Sequence, residues 1–157
     1  MKRIITIIIL IISTFAAYSQ SVPVYPESQK GYKRVDLILP ELEGEKGYKI
    51  EVRFGMIIAL SECEEASFSF TLNNVKTRYG ISPSRFPYYV LESNKADIDT
   101  EKKSGCDSTT KVNKKILSSQ NITIEYQSSY PRPFYIPESW TIEYRIWAAS
   151  DYITIEN

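Results

Sequence analysis

The chain has 157 residues, with 19 Lys and Arg balanced by 19 Asp and Glu and no histidine. A formal net charge of zero argues against a nucleic-acid or polybasic membrane-surface binder, which needs a basic face. The missing histidine removes Ser-His-Asp and Cys-His catalysis and the usual zinc sites, while the length fits one domain with a real core.

The first elements are a basic start, Met1-Lys2-Arg3, and an apolar run over 4–12 broken only by Thr6. Ala17-Tyr18-Ser19 then offers small residues at the two positions a signal peptidase reads. This pattern predicts a secretory signal over 1–19, cleaved near Ser19-Gln20. The apolar run is short for a membrane span of about 20 residues. The expected mature chain is a single domain over 20–157, periplasmic or secreted, with no membrane partner once the signal is gone.

Beyond the leader, period-two alternation dominates. Residues 35–39 read as a strand, followed by a charged loop over 40–47. Tyr48, Ile50, Val52 and Phe54 alternate with Lys49, Glu51 and Arg53, and Gly55 marks a bulge. Phe68, Phe70 and Leu72 alternate with Ser67, Ser69 and Thr71. Asn73-Asn74 begins a turn, and 80–87 is a loop carrying Pro83 and Pro87. Residues 88–91 read as a strand, 94–110 as a long polar loop, and Lys111, Lys114 and Lys115 as a solvated face. Ile122, Ile124 and Tyr126 alternate with Thr123 and Glu125. A third long loop over 127–138 holds Pro131, Pro133 and Pro137. Trp140, Ile142, Tyr144 and Ile146 form a strand, and 152–156 one more short one. No segment carries a helical period of useful length. The expected fold class is all-β: an antiparallel β-sandwich or barrel with long loops. Trp140 and Trp147 differ in strand parity, so at most one of them faces the core.

Two cysteines in an exported protein predict a disulfide between Cys63 and Cys106. It would close a loop of about 44 residues, which the chain-entropy model values at about 4 kcal/mol. Spacing alone reads it as a structural staple. Its surroundings suggest more. Cys106 lies in the charged stretch Asp99-Thr100-Glu101-Lys102-Lys103-Ser104-Gly105-Cys106-Asp107-Ser108, where nothing would bury itself. An exposed, lysine-bearing loop pinned at one point has the form of a substrate mimic, and protease inhibitors are built that way. Glu64 and Glu65 after Cys63 read as exposed loop acids, with salt bridges to Lys102 as the alternative.

Several blocks, in order, resemble one family: Tyr25-Pro26, Lys30-Gly31, Lys33-Arg34, Cys63 after a strand, Tyr88-Tyr89-Val90, Cys106, then Tyr126, Pro131, Tyr135 and Pro137, and last Tyr144-Arg145-Ile146-Trp147. Over roughly 25–153 the chain is similar to the ecotins, exported bacterial inhibitors of trypsin-fold serine proteases. The resemblance implies that Lys103, three residues before the second cysteine, enters the protease's primary specificity pocket. The reactive bond is then Lys103-Ser104, with Thr100, Glu101 and Lys102 on the acyl side and Ser104 and Gly105 on the leaving side. The Cys63–Cys106 bridge ties this loop to the one beginning at Cys63. The resemblance further implies a homodimer that exchanges C-terminal strands, here the region from Trp140 onward with Tyr144 and Trp147. It places a secondary protease contact in the loops over 79–87 and 127–130, at Arg85, Phe86, Gln127, Ser128 and Tyr130. It implies no catalytic residue, no metal and no cofactor.

The chain departs from that pattern in places. Ecotins commonly carry methionine at the pocket position, so Lys103 implies a preference for trypsin-like targets. Lys102 stands where a small threonine is usual, and the stretch from Cys63 to Tyr88 is longer than in the family. Two other classes compete with the inhibitor reading. A secreted β-sandwich binding module for glycan or protein would use the loop tyrosines and tryptophans. An enzyme would need acid pairs such as Glu41 and Glu43, which read as solvated loop acids.

Overall fold

Ile50, Val52 and Phe54 are fully buried, while Lys49 beside them is exposed, so the alternation in the sequence becomes a strand with one face inward. The computed structural model describes residues 25–81, 85–150 and 154–155. The leader expected over 1–19 lies outside the described residues, as does most of the short strand expected over 152–156. The described residues form β1 (Tyr32–Leu37), β2 (Tyr48–Ser61), β3 (Glu64–Ser69), β4 (Val75–Tyr79), β5 (Pro87–Leu91), β6 (Asp97–Lys102), β7 (Lys111–Glu125), β8 (Arg132–Pro137) and β9 (Trp140–Ala148). Short 3-10 turns at Glu45–Gly47 and Leu72–Asn74 are the only helical pieces among them. None of the described helices is long and apolar enough to cross a membrane.

The strands form two sheets, ordered β1-β8-β5-β4 and β6-β3-β7-β2-β9. The all-β sandwich expected from the alternation is the observed architecture. Both sheets are mixed rather than uniformly antiparallel: β5 pairs with β8, and β3 with β7, in parallel. Each parallel contact is short, one pair for β3–β7 and two for β5–β8, and the strands so paired are connected through other elements, as parallel pairing requires.

An aromatic cluster fills the space between the sheets. Phe54 of β2 packs 5.1 Å from Phe70 and 6.2 Å from Trp140, and Phe68 lies 5.0 Å from Trp140. Phe134 of β8, on the opposite sheet, reaches Phe54 at 6.5 Å. Edge-to-face contacts of this kind add about 0.5–1.5 kcal/mol per pair to the area term. Trp140 is buried and Trp147 is half exposed, as their opposite parity requires.

Gly55 marks an irregularity as expected, and the extra residues lie on β7. Arg53 pairs with Asn121 and Gly55 with Leu117, so Ser118 to Gln120 face Phe54 alone. Ser118 is fully buried in that bulge; its hydroxyl accepts from the Phe54 N–H and donates to the Gln120 carbonyl. A Cβ on Gly55 would stand 2.7 Å from Thr141 Oγ1 and 3.3 Å from the Ile116 carbonyl. Close approach of three strands therefore requires glycine there.

Two expected loops contain strands. Within 127–138, β8 is buried along its whole length and lies between β1 and β5. Its pairing with β5 is confined to Phe134 and Tyr135, between Pro133 and Pro137, so neither proline has to donate to that ladder. Within 94–110, β6 pairs with β3 from Glu64↔Lys102 to Ser69↔Asp97. Every β6 side chain is exposed, so the strand leaves no hydrophobic trace in the sequence.

Candidate functional site

The lysine-bearing loop begins where β6 ends. β6 is an outer strand of its sheet, so one side of its backbone is free of any partner among the described residues. The Lys103 N–H donates to the Cys63 carbonyl at 2.8 Å. Antiparallel alternation then turns the backbone groups of Glu101 and Asp99 toward β3, and those of Lys102 and Thr100 outward.

Immediately after Lys103 the chain reverses. The Cys106 N–H donates to the Lys103 carbonyl at 3.3 Å, and Gly105 at the third turn position has φ 75°. A type II turn needs that conformation, which glycine adopts without strain. Cys63 and Cys106 form the expected disulfide, with Cα atoms 5.5 Å apart. Cys63 is fully buried, so the bridge anchors the exposed turn to the interior. The outgoing limb is held as well. The Ser108 N–H donates to Cys63 Sγ, Ser61 Oγ donates to the Ser108 carbonyl, and the Glu62 N–H donates to the Thr110 carbonyl. Lys114 Nζ donates to the carbonyls of Glu62 and Glu64.

Thr100, Glu101, Lys102, Lys103, Ser104 and Gly105 are all exposed, six consecutive residues at one edge of the sheet. The acids near Cys63 are placed differently from either expectation. Glu65 Oε1 lies 2.7 Å from Lys103 Nζ, not on Lys102. The hydrogen bond from Lys103, and then its charge, hold the Glu65 carboxyl below the usual carboxylate range. Lys102 instead faces Asp107 at 3.6 Å, and Glu64 accepts from the Ser61 N–H. Sequence reasoning could not find the Glu65–Lys103 pair, because it depends on the β3–β6 register.

The proposed secondary residues mostly converge. The Phe86 and Tyr130 rings lie 3.8 Å apart, joining the loop before β5 to the loop before β8. The Tyr130 hydroxyl donates to Gln127 Oε1, which also accepts from Arg132 Nη2 at 3.1 Å. Arg132, absent from the expectations, is only 3% exposed and lies 5.0 Å over the Tyr130 ring. Burial pushes the Tyr130 hydroxyl above its usual value, and the Arg132 charge opposes that. Ser128 turns away to Glu45, and Arg85 is exposed beside Phe86. Tyr130 is thus packed on Phe86 and Arg132 rather than free in its loop.

At the opposite margin of the five-stranded sheet, β9 pairs with β2 of its own chain. Tyr144, Ile146 and Trp147 of β9 are nonetheless exposed. Glu51, only 8% exposed, accepts from Arg145 Nη2 at 2.9 Å and from Trp147 Nε1 at 3.0 Å. Arg145 lies 4.4 Å over the Trp147 ring. The Arg145 hydrogen bond, followed by that of Trp147, holds the Glu51 carboxyl below its ordinary range.

A sequence model of the ecotin family matches residues 21–149, most of the chain. The chain belongs to the ecotin family. An ecotin-like protein of Methylobacillus flagellatus is 30% identical over 124 residues, covering 78% of this chain and 73% of its own length. The ecotin of Serratia proteamaculans is 28% identical over 137 residues, covering 86% and 76%. The ecotin of Pseudomonas fluorescens Pf-5 is 25% identical over 144 residues, covering 91% and 87%. Ecotin family proteins are inhibitors of proteases rather than enzymes. Family membership thus agrees with a disulfide-anchored, exposed loop and favours it over the binding-module and enzyme alternatives.

Proposed function

We propose that this ecotin is an exported, reversible, substrate-like inhibitor of trypsin-fold serine proteases, with Lys103-Ser104 as its reactive bond. The observation that carries this reading is Lys103 at the head of an exposed turn that the Cys63–Cys106 bridge fastens to a buried position. Lysine presents a charge on a long apolar stem and suits a deep pocket ending in a carboxylate.

The surroundings of the bond explain why cutting it need not release it. The acyl half, 97–103, is laced to β3, and the amine half is held through Cys106. A new amine at Ser104 therefore stays beside the acyl-enzyme at a high effective concentration, and re-formation competes with hydrolysis. Ordering the loop beforehand also lowers the entropy cost of binding.

The reading extends to a homodimer in which C-terminal strands are exchanged, for which the exposed Tyr144, Ile146 and Trp147 supply apolar surface. One protease would then meet the reactive loop of one subunit and the Phe86–Tyr130–Gln127 patch of the other. Two linked contacts can raise avidity by about 10²–10⁴ without improving either. The leader over 1–19 would deliver the protein to the periplasm or beyond. The test is an inhibition panel with trypsin, chymotrypsin and elastase. Nanomolar or tighter inhibition of trypsin is expected; a Kd weaker than about 10 μM, or about −7 kcal/mol, removes the reading.

A further inference from the structure

We propose that Glu65 is a latch that holds Lys103 closed against β3 in the free protein and slows its entry into a protease pocket. The inference deepens the reading of Lys103 as the pocket residue and rests on it.

Three contacts tie Lys103 to its own chain. Its ammonium meets Glu65 at 2.7 Å, its N–H meets the Cys63 carbonyl at 2.8 Å, and its carbonyl accepts from Cys106 at 3.3 Å. A lysine entering a deep pocket has to withdraw its side chain from Glu65. The Glu65 carboxylate therefore occupies the role that the pocket's acid will take.

The register makes this pairing specific. Glu65 stands opposite Glu101 in the β3–β6 ladder, and Lys103, two residues on and just past the end of β6, continues the same alternation through its bond to Cys63. Diagonal neighbours of this kind lie within reach of long side chains. Opposite Glu101 alone, Glu65 would face a like charge; Lys103 relieves that repulsion. Lys102 projects from the other face and meets Asp107 only at 3.6 Å. Glu64 is occupied by the Ser61 N–H.

The latch acts on the free protein. Every pocket that takes Lys103 must first break the pair with Glu65, so the cost falls on entry and is the same for each. A carboxylate at the base of the pocket then replaces the ion pair that was lost. Lys103 and Glu65 are both more than half exposed, so the latch is a modest brake rather than a lock.

The experiment measures association and dissociation rates of Glu65→Gln with trypsin. Association is expected to rise about two- to five-fold, the range of an exposed ion pair. Dissociation should stay unchanged, because Lys103 has already left Glu65 in the complex. In a Lys103→Met background, read with chymotrypsin, Glu65→Gln should change neither rate. An unaltered association rate overturns the latch, and so does an equal acceleration in the methionine background, which would be long-range steering. If the unaltered protein fails to inhibit trypsin, the reactive-site reading fails instead. The latch then stands or falls on the free protein. NMR should show the Glu65 carboxyl titrating at higher pH in Lys103→Met than in the parent, and equal titration would remove it.

Discussion

As the proposed pocket residue, Lys103 would call for a carboxylate in the pocket that receives it, and that demand can be reversed. Lys103→Asp sets one acid against another. Inhibition of trypsin is expected to weaken by about 10³-fold or more, read as the inhibition constant; an unchanged constant would mean that another loop is engaged. Glu51 gives a second test at this scale. Its carboxyl is held below the ordinary range by Arg145 and Trp147. A depressed folded value contributes stability above the unfolded value of about 4.3 and loses it as the pH falls through the folded one. The midpoint temperature of the parent should therefore drop on acidification below about pH 4.3, and Glu51→Gln should drop less. Equal acid sensitivity would show that the cluster does not contribute. Residues of this kind were unequally legible in the sequence. Lys103 was visible because a cysteine has no other reason to sit in so charged a stretch. Glu65, Glu51 and Arg132 were not, because their importance comes from partners set by long-range register.

At the scale of the element, legibility followed burial on one face. The β2 alternation stood out because Ile50, Val52 and Phe54 are buried beside polar neighbours, whereas in β9 only Trp140 is buried and Tyr144 and Ile146 carry the same alternation on exposed surface. β8 was hidden by its prolines and by burial on both faces, which erases alternation. β6 was hidden for the opposite reason, since no side chain of it is buried. Its order comes from the β3 ladder and the nearby disulfide. The Gly55 crowding is testable: Gly55→Ala drives a methyl into Thr141 and the Ile116 carbonyl. A loss of about 1–3 kcal/mol is expected in denaturant unfolding, and a neutral result would mean that the strands can part without penalty. Replacing both cysteines by serine should cost about 4 kcal/mol in the chain-entropy account and loosen the Lys103 turn. Trypsin should then cleave the variant as an ordinary substrate; retained inhibition would assign the bridge a purely stabilising part.

For the molecule as a whole, the fold class was readable from alternation, whereas the mixed sheet order was not, since pairing partners far apart in sequence leave no local sign. The proposed dimer predicts that sedimentation at micromolar concentration finds two copies together, and that Tyr144→Asp shifts them toward one; a monomeric parent would contradict it. The five-stranded sheet has two outer strands, β6 and β9. A sheet unfinished at both ends could in principle grow without limit, copy upon copy, into a fibre. β9 is the apolar end, and β6 bristles with Asp97, Asp99 and Glu101, all exposed. Two copies meeting through β9 would turn those acids outward on both sides, and like charges would refuse a third. Assembly would therefore stop at a pair, while the same rim and the Lys103 turn beside it stay open to a protease.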